Sequence, residues 1–179
     1  MAKNAVPNIF TFANLAFGIL SILMTFEACF EPMKYSNYTW ACIFIMLAAV
    51  VDRYDGRIAR ALNVSSDLGK ELDSLADLVS FGVAPSILLF SLYNFKNLGI
   101  IGYLLALALP IAGAYRLARY NTSTFNNVFT GVPITVSGLF IAAYSLITMR
   151  HTKKMLSLSI FLILILSYLM ISKLRIKKV

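Results

Sequence analysis

Six apolar segments, about 8–28, 38–62, 67–93, 97–119, 131–150 and 154–172, take up nearly all of this 179-residue chain, and each provides roughly 20 residues. About 20 helical residues cross the roughly 30 Å hydrocarbon core of a bilayer, where every backbone polar group must be satisfied inside the protein. The pattern predicts an all-α integral membrane protein, a single domain over residues 1–179 with six transmembrane helices. Composition agrees, with 59% apolar residues and a mean hydropathy of +0.78. The bilayer is the partner this implies, and no nucleic-acid partner is expected. The opening residues lack the charged start and cleavage site of a signal peptide, so the first span is expected to be retained.

The second and third segments depart from the pattern. Their uninterrupted apolar stretches, Ala41 to Val51 and Leu78 to Leu92, are short, and their facing ends carry Asp52, Asp55, Asp73 and Asp77. A carboxylate at membrane depth is costly and marks a functional site by default. Four of them need cations to stay ionised together, and a protein-lined, wet cavity to sit in. Residues three or four apart share a helix face. Asp52, Asp55, Gly56, Ala59 and Arg60 therefore form one stripe, and Gly69, Asp73 and Asp77 form another. If the helices fold back through Asn63-Val64-Ser65-Ser66, Asp55 faces Asp73 near the turn, and Asp52 faces Asp77 roughly 4.5 to 6 Å deeper. Facing carboxylates make a cage of hard oxygen ligands suited to Mg²⁺ or Mn²⁺, with Ca²⁺ as a further occupant. The competing structural reading is a salt-bridge cluster with Arg53, Arg57, Arg60 and Lys70.

Lys and Arg set the orientation. With six spans, one side receives Lys3, Arg53, Arg57, Arg60, Lys70, Arg116, Arg119, Lys173, Arg175, Lys177 and Lys178. The other receives Lys34, Lys96, Arg150, Lys153 and Lys154. Eleven against five puts both termini and the aspartates in the cytoplasm, although the Arg150–Lys154 loop runs against the rule locally. Tyr35, Tyr38 and Trp40 are expected to form an aromatic belt at the outer end of the second span. Cys29 and Cys42 read as buried inert thiols or as an outer-surface disulfide.

The order Asp52-x-x-Asp55-Gly56-x-x-Ala59-Arg60, eight residues, then Gly69-x-x-x-Asp73-x-x-x-Asp77 resembles the signature of the CDP-alcohol phosphatidyltransferases at every fixed position. The resemblance implies a lipid-linked CDP donor, a bundle with a cavity open to the cytoplasm and sideways to lipid, and a homodimer. It assigns Asp52, Asp55 and Asp73 to metal, and Asp77 to metal and to catalysis as the base toward the acceptor hydroxyl. Two divalent cations would clamp the donor's pyrophosphate. Gly56, Ala59 and Gly69 would clear room for the nucleotide, or simply permit close helix packing. Arg60 would hold phosphate beside Asp73. Asn8, Thr11 and Asn14, at helical spacing on the first span, would wall the nucleotide, or serve as N-cap and interhelical hydrogen bonds.

Three further stretches resemble the serine-using branch of that family: Val6-Pro7-Asn8-Ile9-Phe10-Thr11-x-x-Asn14, Glu71 through Pro85, and Arg116-Leu117-Ala118-Arg119-Tyr120-Asn121 with Phe129-Thr130-Gly131-Val132-Pro133. They imply transfer of a phosphatidyl group from CDP-diacylglycerol, or an archaeal ether analogue, to L-serine. Serine brings a carboxylate, so Arg116 or Arg119 would hold it while the other holds a phosphate; Asn121 and Thr130 would add hydrogen bonds. Either arginine reads equally as a positive-inside anchor. Glycerol 3-phosphate or inositol phosphate as acceptor is the alternative within the family, and a small cation transporter is the alternative outside it. Asp67 and Glu71 read as solvated helix-start charges, and His151 lies on the wrong face for this chemistry.

Overall fold

The computed structural model describes residues 5–30, 35–61, 67–122, 129–172 and 175–176. Its helices are α1 (Ala5–Phe30), α2 (Ser36–Ala61), α3 (Asp67–Asp77), α4 (Ala84–Leu92), α5 (Ile100–Thr122), α6 (Ile134–Thr148) and α7 (Thr152–Ile171). A π-helical stretch, Leu78–Val83, joins α3 to α4 without a break, and short 3₁₀ turns lie at Phe95–Leu98 and Met149–His151. The anticipated reversal at Asn63–Ser66 lies outside the described residues. A ladder of two two-residue strands, β1 (Phe129–Thr130) and β2 (Arg175–Ile176), completes an otherwise helical fold.

Among the described residues, four stretches are long and apolar enough to cross a membrane: Ile9–Phe30, Asp67–Leu92, Ile100–Thr122 and Ile134–Ile171. The protein is an all-helical integral membrane protein. The last stretch, at 38 residues, would extend about 57 Å if straight, nearly twice the bilayer core. It folds back instead. Phe129 pairs with Ile176 and Thr130 with Arg175, antiparallel, just before α6 and just after α7. Val132 N–H also donates to the Leu169 carbonyl at 3.2 Å. Gly131 makes this junction possible, with φ +81° and an imagined Cβ only 2.4 Å from the Met170 carbonyl oxygen. The charged last third of α2 keeps it out of the apolar set.

Polar contacts at the two ends of the bundle fix the helix directions. At one end, the start of α1 meets the end of α3 (Asn14 to Asp77), the end of α2 meets the start of α6 (Asp52 to Thr135), and the end of α5 meets the end of α7 (Arg119 to Ile171). At the other end, Tyr38 at the start of α2 and Cys29 at the end of α1 both reach Ser91 on α4, and Tyr93 reaches Thr148. Successive rods therefore alternate in direction, with α3, the π-helical stretch and α4 acting as one rod. That rod is the central one: 61% of its apolar window is enclosed, against 28–39% for the other three stretches. Phe81, Leu88 and Leu89 on it are fully buried, with Ile45, Leu109, Ile134 and Ile141 around them. The outer faces carry exposed Ile100, Tyr103, Leu104, Leu107 and Ile111, as a lipid-facing surface should.

Pro110 lies inside α5 and has no N–H to give the Ala106 carbonyl. Ser86 on α4 donates its hydroxyl to that carbonyl instead, which satisfies a group that lipid could not. Two side-chain expectations change. Tyr35 and Trp40 are exposed, but Tyr38 is buried and hydrogen-bonded to Ser91 at 2.8 Å, so it anchors the bundle and leaves the aromatic belt. Both cysteines are free; Cys42 is buried, while Cys29 is exposed and its sulfur lies 3.1 Å from the Ser91 hydroxyl.

Candidate active site

Asp73 and Asp77 stand one turn apart on α3, and α2 brings in Asp52. One carboxylate oxygen from each of the three lies within 4.8 Å of the others. Asp77 is buried and Asp52 and Asp73 are half-buried, so water screens them only in part. At that separation and an effective dielectric of about 20, each ionised pair repels by about 3–4 kcal/mol. A polypeptide does not assemble such a group without a positive occupant or a retained proton. Three hard oxygen donors this close fit a divalent cation such as Mg²⁺ or Mn²⁺.

Asp77 and Asp52 are held from two different helices. Asn14 on α1 donates its amide Nδ2 to Asp77 Oδ1 at 2.9 Å. Thr135, in the first turn of α6, donates its hydroxyl to Asp52 Oδ2 over a long 3.4 Å. Neither partner belongs to the acidic motif. Asn14 stood out in the sequence as one of three spaced polar residues within the Val6–Asn14 stretch, and of its two readings the interhelical hydrogen bond is the one seen here; Thr135 gave no signal at all, because α6 enters the site through tertiary packing.

The two arginines of α5 part company. Arg116 is buried, only 9% exposed; Asp77 is its anionic neighbour, and its Nε has no hydrogen-bond partner among the described residues. Arg119, half-buried, donates Nη1 to the Ile171 carbonyl at 3.1 Å and sits 5.7 Å from the centre of the Tyr115 ring. It caps the end of α7, where carbonyls lack in-helix donors. Asn121 donates to Glu71 Oε1 at 3.2 Å and to Ser74 Oγ at 3.0 Å, tying the end of α5 to α3. Glu71 is thus exposed but engaged.

Gly69 lies on the same face of α3 as Asp73 and Asp77, and Thr11 is buried on α1 one turn before Asn14. Asp55, Gly56 and Arg60 belong to α2, Asn8 to α1 and Thr130 to β1; their side chains lie outside the described residues. Lys70 pairs with Asp67 at 3.5 Å on the exposed start of α3.

The family model described as CDP-alcohol phosphatidyltransferase matches residues 4–174. The chain is 38% identical over 173 residues to the CDP-diacylglycerol–serine O-phosphatidyltransferase of Bacillus subtilis (strain 168), covering 96% of this chain and 89% of that protein. It is 34% identical over 178 residues to the protein of the same name from Helicobacter pylori (strain ATCC 700392 / 26695), covering 94% of this chain and 70% of that one. An archaetidylserine synthase of Methanothermobacter thermautotrophicus is 35% identical over 147 residues, 79% of this chain and 58% of that protein.

Proposed function

This chain belongs to the CDP-alcohol phosphatidyltransferase family, and we propose that it transfers the phosphatidyl group of a CDP-diacylglycerol-type lipid to the hydroxyl of L-serine, releasing CMP. The observation that carries this reading is the convergence of Asp52, Asp73 and Asp77 within 4.8 Å at one end of an apolar bundle. Membership of an enzyme family replaces the ion-path alternative. The similarity to an archaetidylserine synthase fits a pocket that reads the CDP head and leaves the hydrocarbon chains in the bilayer.

Asp52, Asp55, Asp73 and Asp77 would hold two divalent cations, Mg²⁺ or Mn²⁺, which would supply charge neutralisation to the pyrophosphate and to the in-line transition state. Gly56 and Gly69 leave space on two facing helices for the nucleotide. Arg60 contacts phosphate, and Asn8 and Thr11 line the nucleotide side from α1. Arg116, buried beside Asp77 with unused donor capacity, holds the serine carboxylate, which brings the serine hydroxyl toward Asp77. Asn121 and Thr130 would add hydrogen bonds to the serine. Asp77 takes the hydroxyl proton as the serine oxygen bonds to the lipid-side phosphorus and the bond to CMP breaks. Arg119 is a poorer candidate for the carboxylate, because its guanidinium serves the end of α7.

The alternating rods support six crossings, with α2 as the second span and the 134–171 stretch as two. The excess of Lys and Arg on that side supports a cytoplasmic site. A homodimer belongs to the same reading, and crosslinking in native membranes tests it. The enzymatic test uses purified protein with CDP-diacylglycerol, L-serine and Mn²⁺ or Mg²⁺. CMP should appear with the metal present and stop with chelator, and Asp73→Asn should abolish release. Full CMP release by Asp73→Asn removes the metal site from the account.

A further inference from the structure

The turn from Asp77 to Ser80 is tied to α1 at two points. Asn14 Nδ2 donates to Asp77 Oδ1 at 2.9 Å, and three residues further on, the Ser80 hydroxyl donates to the Asn14 backbone carbonyl at 2.9 Å. Asn14 and Ser80 are both 0% exposed. Gly18, one turn beyond Asn14, allows the two helices to come this close: a Cβ there would lie 2.4 Å from Ser80 Oγ and 2.9 Å from Ser80 Cα. The helix changes from α to π directly after Asp77, at Leu78, so the turn that sets the direction of Asp77 is the turn that α1 clasps. Such π-helical insertions are frequent at functional sites.

We propose that Asn14 is a positioning residue: it fixes which oxygen of Asp77 faces the cation site and the acceptor hydroxyl. This rests on the function proposed above and deepens it. Asn14 is wholly enclosed, so it acts through Asp77 and not on substrate. Its amide N–H occupies Oδ1, which leaves Oδ2 as the oxygen to hold a cation or take a proton. A neutral donor does this without adding positive charge that would compete with the cation. Asn14 Oδ1 has no hydrogen-bond partner among the described residues. Burying an unsatisfied carbonyl works against stability, so the amide is a poor choice for packing alone and a good one for orienting a ligand carboxylate. Hydrogen-bond partners of metal ligands typically cost about 10- to 100-fold in metal affinity or activity when removed.

The test is Mn²⁺ binding to the purified full chain, followed by the loss of the free-ion electron paramagnetic resonance signal, alongside CMP release and thermal unfolding. Asn14→Leu keeps the branched shape of the side chain and removes the donor. It should weaken Mn²⁺ binding about 10-fold or more and lower kcat, while the KM for CDP-diacylglycerol changes less than about threefold. In an Asp77→Asn background the same substitution should weaken Mn²⁺ no further, since its effect passes through Asp77. Asn14→Gln, which restores an amide donor, should recover part of the affinity. Ser21→Ala, at another buried polar position on α1, should leave Mn²⁺ binding unchanged. The proposal is overturned if Asn14→Leu binds Mn²⁺ like the wild type, if it only lowers the unfolding temperature, or if its effect persists in the Asp77→Asn background. A wild-type chain that neither binds Mn²⁺ nor releases CMP would instead sink the proposed function.

Discussion

Replacing Arg116 separates the serine pocket from the donor site. The residue is 9% exposed and its Nε has no partner among the described residues, so donor capacity is held in a place that water reaches poorly. A hydrogen bond to a charged group is worth about 1.5–3 kcal/mol. Arg116→Ala should therefore raise the KM for serine about 10- to 100-fold, at about 1.4 kcal/mol per decade. Arg116→Lys keeps the charge but loses the planar fork, and should fall between, at about 3- to 10-fold. Arg119→Ala removes the bond to the Ile171 carbonyl and the contact with Tyr115; it should lower stability and leave the serine KM within about threefold of the wild-type value. The assay is the initial rate of CMP release, with serine varied at saturating CDP-diacylglycerol and then the reverse. A larger serine effect from Arg119→Ala would refute the assignment. So would an Arg116→Ala variant whose donor KM rises as much as its serine KM, because the arginine would then be a phosphate contact.

Three other outcomes follow from the same geometry. Thr135→Val removes the hydroxyl that reaches Asp52 at 3.4 Å; this long bond puts the loss near the low end of partner effects, about 3- to 10-fold in activity with a higher metal requirement, read from a Mn²⁺ titration of CMP release. Gly102→Ala would put a Cβ 1.9 Å from the Phe95 carbonyl oxygen; overpacking of about 1–3 kcal/mol corresponds to a fall of about 2–12 °C in Tm, and an unchanged Tm would contradict the packing of the 3₁₀ turn on α5. In a chain with Cys29 replaced, a membrane-impermeant maleimide applied to intact cells should label Lys96→Cys and spare Lys70→Cys. The reverse pattern would invert the orientation.

The acids were legible in the sequence because helix periodicity is a local property: Asp73 and Asp77 share a face by spacing, and Asp52 needs only a turn to meet them. The helix limits were legible for the same reason, since apolar runs of bilayer length leave few alternatives. What the sequence did not carry is tertiary. Asn14 and Thr135 are ordinary polar residues until α1 and α6 pack against the acids. Tyr38 has the composition of a membrane-interface residue, and only the approach of Ser91 on α4 turns it inward. Arg116 and Arg119 are equivalent by spacing and differ because the end of α7 offers one of them a carbonyl. The π-helical stretch after Asp77 leaves no mark in the apolar pattern, because one extra residue in a turn alters a continuous apolar run very little. The fold-back at Met149–His151 was anticipated as a loop near Arg150, but its anchor, the ladder between β1 and β2, joins segments too far apart in sequence to be read together.

The most direct measurement of the central claim is an acceptor competition. Purified protein is given CDP-diacylglycerol with a labelled phosphatidyl group, Mn²⁺, and equal concentrations of L-serine, glycerol 3-phosphate and inositol phosphate, and the labelled lipids are separated alongside CMP. The account predicts phosphatidylserine as the dominant product, formed one-for-one with CMP and lost together with it in Asp73→Asn. Predominant transfer to glycerol 3-phosphate or inositol phosphate would contradict the serine assignment and leave the metal chemistry standing. Labelled phosphatidylserine formed undiminished by Asp73→Asn would contradict the site itself.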